Sequence, residues 1–140
     1  MEDRYLFKAK RLDNGEWVEG YLSYPFCTKK GNESYYFYAK DSLGFFCRCV
    51  VDASTICQCT GLKDKNGKLI WENDVVAYWD TYSTENGYAE ADCIGRVVWD
   101  AETISFQVTN RLSAESWEVL GGECKVLGNA IEHPELLEVG

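Results

Sequence analysis

The sequence predicts a mainly β protein, folded as a small barrel or sandwich, on three observations. Polar and apolar side chains alternate with the two-residue period of strands through most of the chain. Turn signals rich in Gly, Asn and Asp recur roughly every ten residues, a spacing typical of small all-β domains. Of the 140 residues, 46% are hydrophobic and 14% aromatic, so one core or two small subdomains can be filled.

The N-terminal portion contains a succession of short extended segments, which we predict as strands at residues 4–10, 17–24, 34–40, 45–51 and 55–60. Asn14-Gly15 marks the first turn, because this dipeptide tolerates the positive φ angles of a hairpin. Further turns are expected at residues 29–33 and 41–44. Pro25 lacks a backbone N–H and is expected to end the second strand.

After a boundary expected near Cys59, the same pattern continues, and we predict strands at residues 75–79, 93–99, 103–109 and 124–131. Residues 81–91 are polar and contain Asn86-Gly87, so they form either a long loop or the extended tip of a hairpin. Residues 111–119 are the best candidate for a helical turn. Pro134–Leu137 is predicted as a terminal turn.

The stretch TGLKDKNGKLIWENDVV, residues 60–76, could contain a calcium loop, a catalytic turn or a tight bend between strands. A calcium loop needs acidic or amide oxygens at alternating positions and a distal Glu. After Asp64, the sequence lacks the further oxygen ligands that such a loop requires. Lys65 and Lys68 also add positive charge to the same turn. We therefore predict a hairpin turn at Asn66-Gly67.

The chain is acidic, with 23 Asp and Glu against 14 Lys and Arg and a net charge of −9. Non-specific binding to nucleic acid depends on cations that neutralise phosphates, so this balance disfavours it. A local cluster near the start is interpreted as a solvated strand edge; it comprises Arg4, Lys8, Lys10 and Arg11.

The chain has neither a run of about 20 apolar residues for a membrane helix nor a visible secretory signal. The seven cysteines then fit free thiols in a reducing compartment better than a disulfide framework. We expect a cytoplasmic protein without membrane association.

Three classes of residue could carry chemistry. The pairs Cys47/Cys49 and Cys57/Cys59 could each present two thiolates on one strand face, but structural zinc ligands usually lie two to four residues apart in turns. We predict apolar packing positions for them. His133 lies in a polar terminal turn, where we expect it to be exposed rather than paired with a cysteine nucleophile.

The carboxylates show no spacing that singles out an acid–base pair, and the sequence has no glycine loop for phosphate. We therefore predict no catalytic residue, no metal ligand and no cofactor. A small-molecule substrate cannot be identified from the sequence.

An aromatic surplus is the more unusual feature. In SYYFYAK, residues 34–40, two rings point to each face of a strand, whereas a half-solvated sheet would alternate with polar residues. Either both faces are covered within the fold or one is a contact surface, for which tyrosine is well suited. We predict a candidate interaction surface formed by Tyr35, Tyr36, Phe37, Tyr38, Phe45 and Phe46.

Three segments resemble, in the same order, the YopX family of phage and prophage proteins: FKAKRLDNGEWVEGYL, CQCTGLKDKNGKLIWENDVV and KVLGNAIEHPELL. Cys59 stands where the family usually has an aromatic residue, which favours a packing position over a zinc ligand. His133 stands where the family usually has Asn. Residues 23–52 show no close match.

The resemblance implies an SH3-like small barrel in the C-terminal part. The predicted organisation is thus an N-terminal β portion, residues 1–59, and a small barrel, residues 60–140, with at most one or two short helical turns. The resemblance implies no activity, substrate or cofactor.

We expect a non-enzymatic module, in the cytoplasm of a bacterial host, that binds a protein partner or a second copy of itself. One alternative is a small barrel that contacts nucleic acid through one face, although the charge disfavours it. Another is a hydrolase that uses a cysteine or a metal.

Overall fold

A computed structural model of the chain describes residues 5–27, 34–40, 43, 45–109, 116–118 and 124–137. Antiparallel strands account for most of these residues, and the helical segments are short 3-10 turns such as Ala53–Thr55 and Pro134–Leu137. The predicted mainly β class is confirmed. Within the described ranges, none of the helical segments has the length and apolar character needed to cross a membrane.

The chain forms two compact units, Met1–Cys59 and Thr60–Gly140. The first unit has antiparallel strands in the order β4-β3-β2-β1-β5. These strands are β1 (Phe7–Lys10), β2 (Trp17–Cys27), β3 (Ser34–Lys40), β4 (Phe46–Val51) and β5 (Cys57–Lys63), whose last residues belong to the second unit.

The sheet of the first unit curls, so that the end of β4 meets the end of β1. Arg11 and Val51 form an antiparallel bridge. The Leu12 N–H donates to the Val50 carbonyl (3.1 Å), and the Asp52 N–H donates to the Lys10 carbonyl (2.8 Å). The curl gives this sheet an inner and an outer face.

The inner face of the first unit holds its apolar core. The buried members are Ala9, Phe37, Cys49 and Val51, and the partly buried side chains packed on them are Phe7, Val18, Leu22, Tyr35 and Ile56. Alternation along the strands places Trp17, Glu19 and Tyr21 on the opposite, outer face.

In the second unit, the end of β5 pairs with β6, and five further strands form a separate antiparallel sheet in the order β10-β9-β8-β7-β11. The strands are β6 (Leu69–Trp71), β7 (Asp74–Thr84), β8 (Gly87–Asp100), β9 (Ser105–Thr109), β10 (Ser116–Glu118) and β11 (Lys125–Asn129). The described strands leave this sheet open at β10 and β11, so the barrel expected for residues 60–140 is not closed.

The core of the second unit lies between its strands and contains six buried residues, Ile70, Val76, Val97, Val108, Cys124 and Val126. Tyr78 and Phe106 are partly buried and pack against it. β-Branched residues supply most of this core, as expected for packing on pleated strands.

Two elements differ from their predictions, and at residues 81–91 the structure adopts one of the two predicted alternatives. β2 continues through Pro25 to Cys27, and the register with β3 shifts on both sides of Pro25, because an irregularity tolerates a residue without an N–H. Residues 81–91 are the tip of an extended β7–β8 hairpin, paired as far as Thr84 and Gly87. Within the helical turn predicted at 111–119, Ser116–Glu118 is instead a strand paired with β9; residues 111–115 and 119 lie outside the described residues.

Ile104 ends the β8–β9 turn with a φ of +53° and is 75% exposed. A β-branched residue is strained in this left-handed region, where Asn is more readily accommodated. We predict that Ile104→Asn raises the free energy of unfolding by about 1 kcal/mol, measured by urea denaturation. Ile104→Val keeps the β-branch and is the control. Equal stability of the two variants would contradict the assignment of strain.

Candidate interaction surface

The turn at Asn66-Gly67 is a hairpin bend between β5 and β6, as predicted. The Gly67 N–H donates to the Asp64 carbonyl (3.0 Å), and the Asp64 N–H donates to the Lys68 carbonyl (2.8 Å). Gly67 adopts a φ of +80°, and an added Cβ there would meet no atom within 4 Å. Backbone conformation, rather than crowding, therefore favours glycine at this position.

The Asp64 side chain is buried within this turn, 5% exposed. Its Oδ1 accepts the N–H groups of Asn66 and Lys68, both at 2.9 Å. Its Oδ2 accepts the Val126 N–H of β11, also at 2.9 Å. Both carboxylate oxygens thus accept backbone N–H groups. Asp64, which could have begun a calcium loop, is therefore a structural residue.

Hydrogen bonds also hold the pKa of Asp64 below its ordinary value. The Val126 N–H contributes most, and the N–H groups of Lys68 and Asn66 add to it, while burial acts in the opposite direction. A second bond, from the Lys65 N–H to the Cys124 carbonyl (3.0 Å), joins the same two segments. The turn is therefore bonded to the start of β11 through both the Asp64 side chain and the Lys65 backbone.

The segment ENDV, residues 72–75, also forms hydrogen bonds with backbone groups. Asp74 is 2% exposed, and its Oδ2 accepts the Trp71 N–H at 2.9 Å. Asn73, at a φ of 72°, donates its N–H to the Val97 carbonyl, and its carbonyl accepts the Ala130 N–H, each at 2.8 Å. Its Oδ1 accepts two guanidinium bonds from Arg96.

The distal segment, residues 125–137, packs closely on itself. Gly128 lies at a register irregularity between β11 and β7. A Cβ at Gly128 would come within 2.8 Å of Leu136 Cδ1, so a larger residue would force the end of the Leu136 side chain to move. This glycine has a packing role.

The predicted positions of the cysteines and of His133 can now be described. Cys57 and Cys59 are fully buried and Cys49 is 6% exposed, as expected of packing positions, whereas Cys47 is half-buried. Burial raises the pKa of the Cys49 thiol. His133 is exposed, and its Nδ1 lies 3.0 Å from Glu135 Oε1. In the described part of the chain, no three His, Cys, Asp or Glu side chains group as metal ligands would.

The aromatic strand β3 divides between the two faces as its alternation predicts. Phe37 is fully buried and Tyr35 packs against the core, so neither can line an outer contact surface in this structure. Tyr38 is 47% exposed and Tyr36 is half-buried on the outer face. Phe45, just before β4, is exposed; the Phe46 side chain lies outside the described residues.

A row of three side chains crosses the outer face. Tyr38 of β3 lies directly opposite Tyr21 of β2 and, on its other side, opposite Arg48 of β4. Tyr21 and Tyr38 are 38% and 47% exposed, and Arg48 is also exposed. Residues directly opposite in antiparallel strands are close enough to interact. These residues form one patch.

Cations lie over the other rings of the same face. The Arg48 guanidinium is 4.3 Å from the centre of the Tyr36 ring. The Nζ atoms of Lys8 and Lys10 are 5.3 and 5.8 Å from the Trp17 ring. Each distance is within the range of a cation–π interaction. We call the seven residues Lys8, Lys10, Trp17, Tyr21, Tyr36, Tyr38 and Arg48 the outer patch.

Charge is distributed unevenly between the units. Met1–Cys59 contains eight Lys and Arg and eight Asp and Glu, whereas Thr60–Gly140 contains six and fifteen. The net charge of −9 therefore belongs to the second unit, and the outer patch lies in the neutral one.

Sequence reasoning missed Trp17, Tyr21 and Arg48. Their strands were predicted, but which residues lie opposite each other depends on strand register, which alternation alone does not fix. The alternation of Trp17, Glu19 and Tyr21 in WVEGY was the available signal that these side chains share a face.

Comparison with known proteins gives one family. A family model described as YopX protein matches residues 6–138, nearly the whole chain. No curated protein matches the sequence.

We predict that Asp64→Asn destabilises the protein at neutral pH, because an amide must turn its NH₂ towards at least one of the three N–H donors. A carboxylate whose pKa is lowered by folding stabilises the protein above its unfolded pKa, near 3.8, and loses this effect as pH falls through the lower folded value.

The difference in melting temperature between wild type and Asp64→Asn should therefore be large at pH 7 and shrink towards pH 3. Thermal unfolding monitored by circular dichroism at both pH values measures it. Lys65→Gln, on the exposed surface of the same turn, is the control and should show no such pH dependence. A difference independent of pH would contradict the role of the ionised carboxylate.

Proposed function

The chain belongs to the YopX family, and from that premise we propose that it is a non-enzymatic binding module that contacts a protein through its outer patch. The observation that carries the proposal is the pair Tyr21 and Tyr38, opposite each other and 38% and 47% exposed. Tyr, Trp and Arg are enriched at protein interfaces and dominate their binding energy. The partner is either another protein or a second copy of the chain.

The roles of the motif residues support a module without catalysis. In the central motif, the side chains of Asp64 and Asp74 accept backbone N–H groups, and the Asn73 side chain accepts the Arg96 guanidinium. An Asp that acts as a general acid or base needs a carboxylate oxygen that can reach the substrate. The oxygens of Asp64 already accept three N–H donors.

Family membership also supports an origin in a phage or an integrated prophage, and a site of action in the bacterial cytoplasm. The five-stranded sheet of the second unit supports an SH3-like relationship in an open form. Small β architectures host many unrelated tasks, so the fold does not specify the partner.

A second candidate function is contact with single-stranded nucleic acid. Rings interleaved with Lys8, Lys10 and Arg48 favour it, since bases stack on aromatic side chains and phosphates bind cations. Titration of the protein into a labelled oligonucleotide at two salt concentrations tests it. Absence of a salt-dependent affinity would eliminate this candidate.

We predict that the double variant Tyr21→Ser/Tyr38→Ser loses its complex with the protein partner while its fold is retained. Both rings are well exposed, so their loss removes contact area more than core packing. Affinity capture from the bacterial host, followed by mass measurement of the native complex, reports the partner and separates it from self-association.

Trp79→Ser is the matched control, because Trp79 is an aromatic residue of the second unit, 56% exposed. It should leave the complex intact. The proposal fails if the wild-type protein is strictly monomeric and captures no protein, or if the tyrosine variant changes only the thermal stability.

A further inference from the structure

We propose that the outer patch binds an acidic segment of its partner protein. This inference rests on the proposed function and specifies the chemistry of the partner. Its basis is that three cations and four aromatic rings share one face of a sheet, in the unit of the chain that carries none of the net negative charge.

The cations occupy both ends of the patch. Lys8 and Lys10 lie over Trp17 on β1 and β2, and Arg48 lies over Tyr36 on β4 and β3. The exposed rings of Tyr21 and Tyr38 lie between these ends, because their strands are neighbours in the middle of the sheet. An extended segment crossing the strands would meet positive charge, then aromatic surface, then positive charge.

Opposing charge on the same face is small among the described residues. Glu19 lies opposite Lys8 and shares the outer face. Asp13 lies in the adjoining turn and is bound to Arg11 through two hydrogen bonds of 2.9 and 2.7 Å. Asp52 accepts the Ser54 N–H and hydroxyl. Glu16 accepts the Asn14 side-chain amide in the same turn as Asp13. Three cations of the patch thus stand against Glu19, a positive balance that favours carboxylates from a partner.

The alternative anion, nucleic acid, fits less well. A nucleic-acid strand carries a phosphate at each nucleotide and so has a high density of negative charge. It is repelled at long range by a chain of net charge −9. The faces of Trp17 and Tyr36 that could stack on bases are already approached by cations. A peptide with a few carboxylates is repelled less. Its side chains can contact the edges of the tyrosine rings as well as their faces.

The inference is tested by selecting a random peptide display library on the full chain and counting acidic residues before and after selection. Peptides of about twelve residues reach about 40 Å when extended, more than the width of four strands spaced about 4.8 Å apart. We expect enrichment of Asp and Glu on the wild-type protein. The enrichment should be lost on Lys10→Gln/Arg48→Gln and kept on the control Lys125→Gln, an exposed cation of the second unit.

The most enriched peptide is then titrated by fluorescence anisotropy, beside its amide counterpart with every acid replaced and beside a dodecathymidine oligonucleotide. We expect each removed cation to weaken peptide binding about threefold, as for a partly exposed ion pair, and raised salt to weaken it further. Circular dichroism of each variant checks that the fold is retained.

The outcomes distinguish this inference from the proposed function. Selected peptides without acidic enrichment, whose binding is lost in Tyr21→Ser/Tyr38→Ser, overturn the acidic partner and leave the binding module standing. Acidic enrichment that survives on Lys10→Gln/Arg48→Gln also overturns the inference. Binding of the oligonucleotide with no selected peptide overturns both.

Discussion

The buried carboxylate of Asp64 is the constraint on which the second unit depends. One side chain accepts two N–H groups of its own hairpin turn and a third from β11, so it joins segments that are 62 residues apart. A buried backbone N–H without an acceptor is costly, and the charge of the acceptor strengthens each bond. The turn, the start of β11 and the cysteine before it are placed by this one group.

The same principle extends to the rest of the two longer motifs. Asn73 bonds to β8 and to Ala130 at once, Asp74 closes its own tight turn, and Gly128 leaves room for Leu136. These residues of the two motifs therefore specify architecture. The binding that we propose, in contrast, uses the outer patch of the first unit, which takes Tyr36, Tyr38 and Arg48 from residues 23–52.

Local chemistry made much of the fold predictable, and long-range pairing limited the rest. The Asn66-Gly67 turn and the two-faced strand at residues 34–40 follow from backbone preference and a period of two. The passage of β2 through Pro25 depends on an irregularity in its pairing with β3. Ser116–Glu118 becomes a strand because β9 is available to pair with it. For the candidate site, alternation separated Tyr38 from Phe37, whereas the row Tyr21–Tyr38–Arg48 required the register.

The curl of the first sheet also bears on how a tyrosine-rich protein avoids misassembly. A flat sheet whose terminal strand keeps its ladder groups unpaired is a template for the addition of foreign strands. Here Val50 of β4 bonds to Leu12, and Asp52, just after the strand, bonds to Lys10, so fewer backbone groups at that end are left for a foreign strand. Side chains can discriminate between partners, whereas backbone pairing cannot, so the curl disfavours the less specific kind of association at this end.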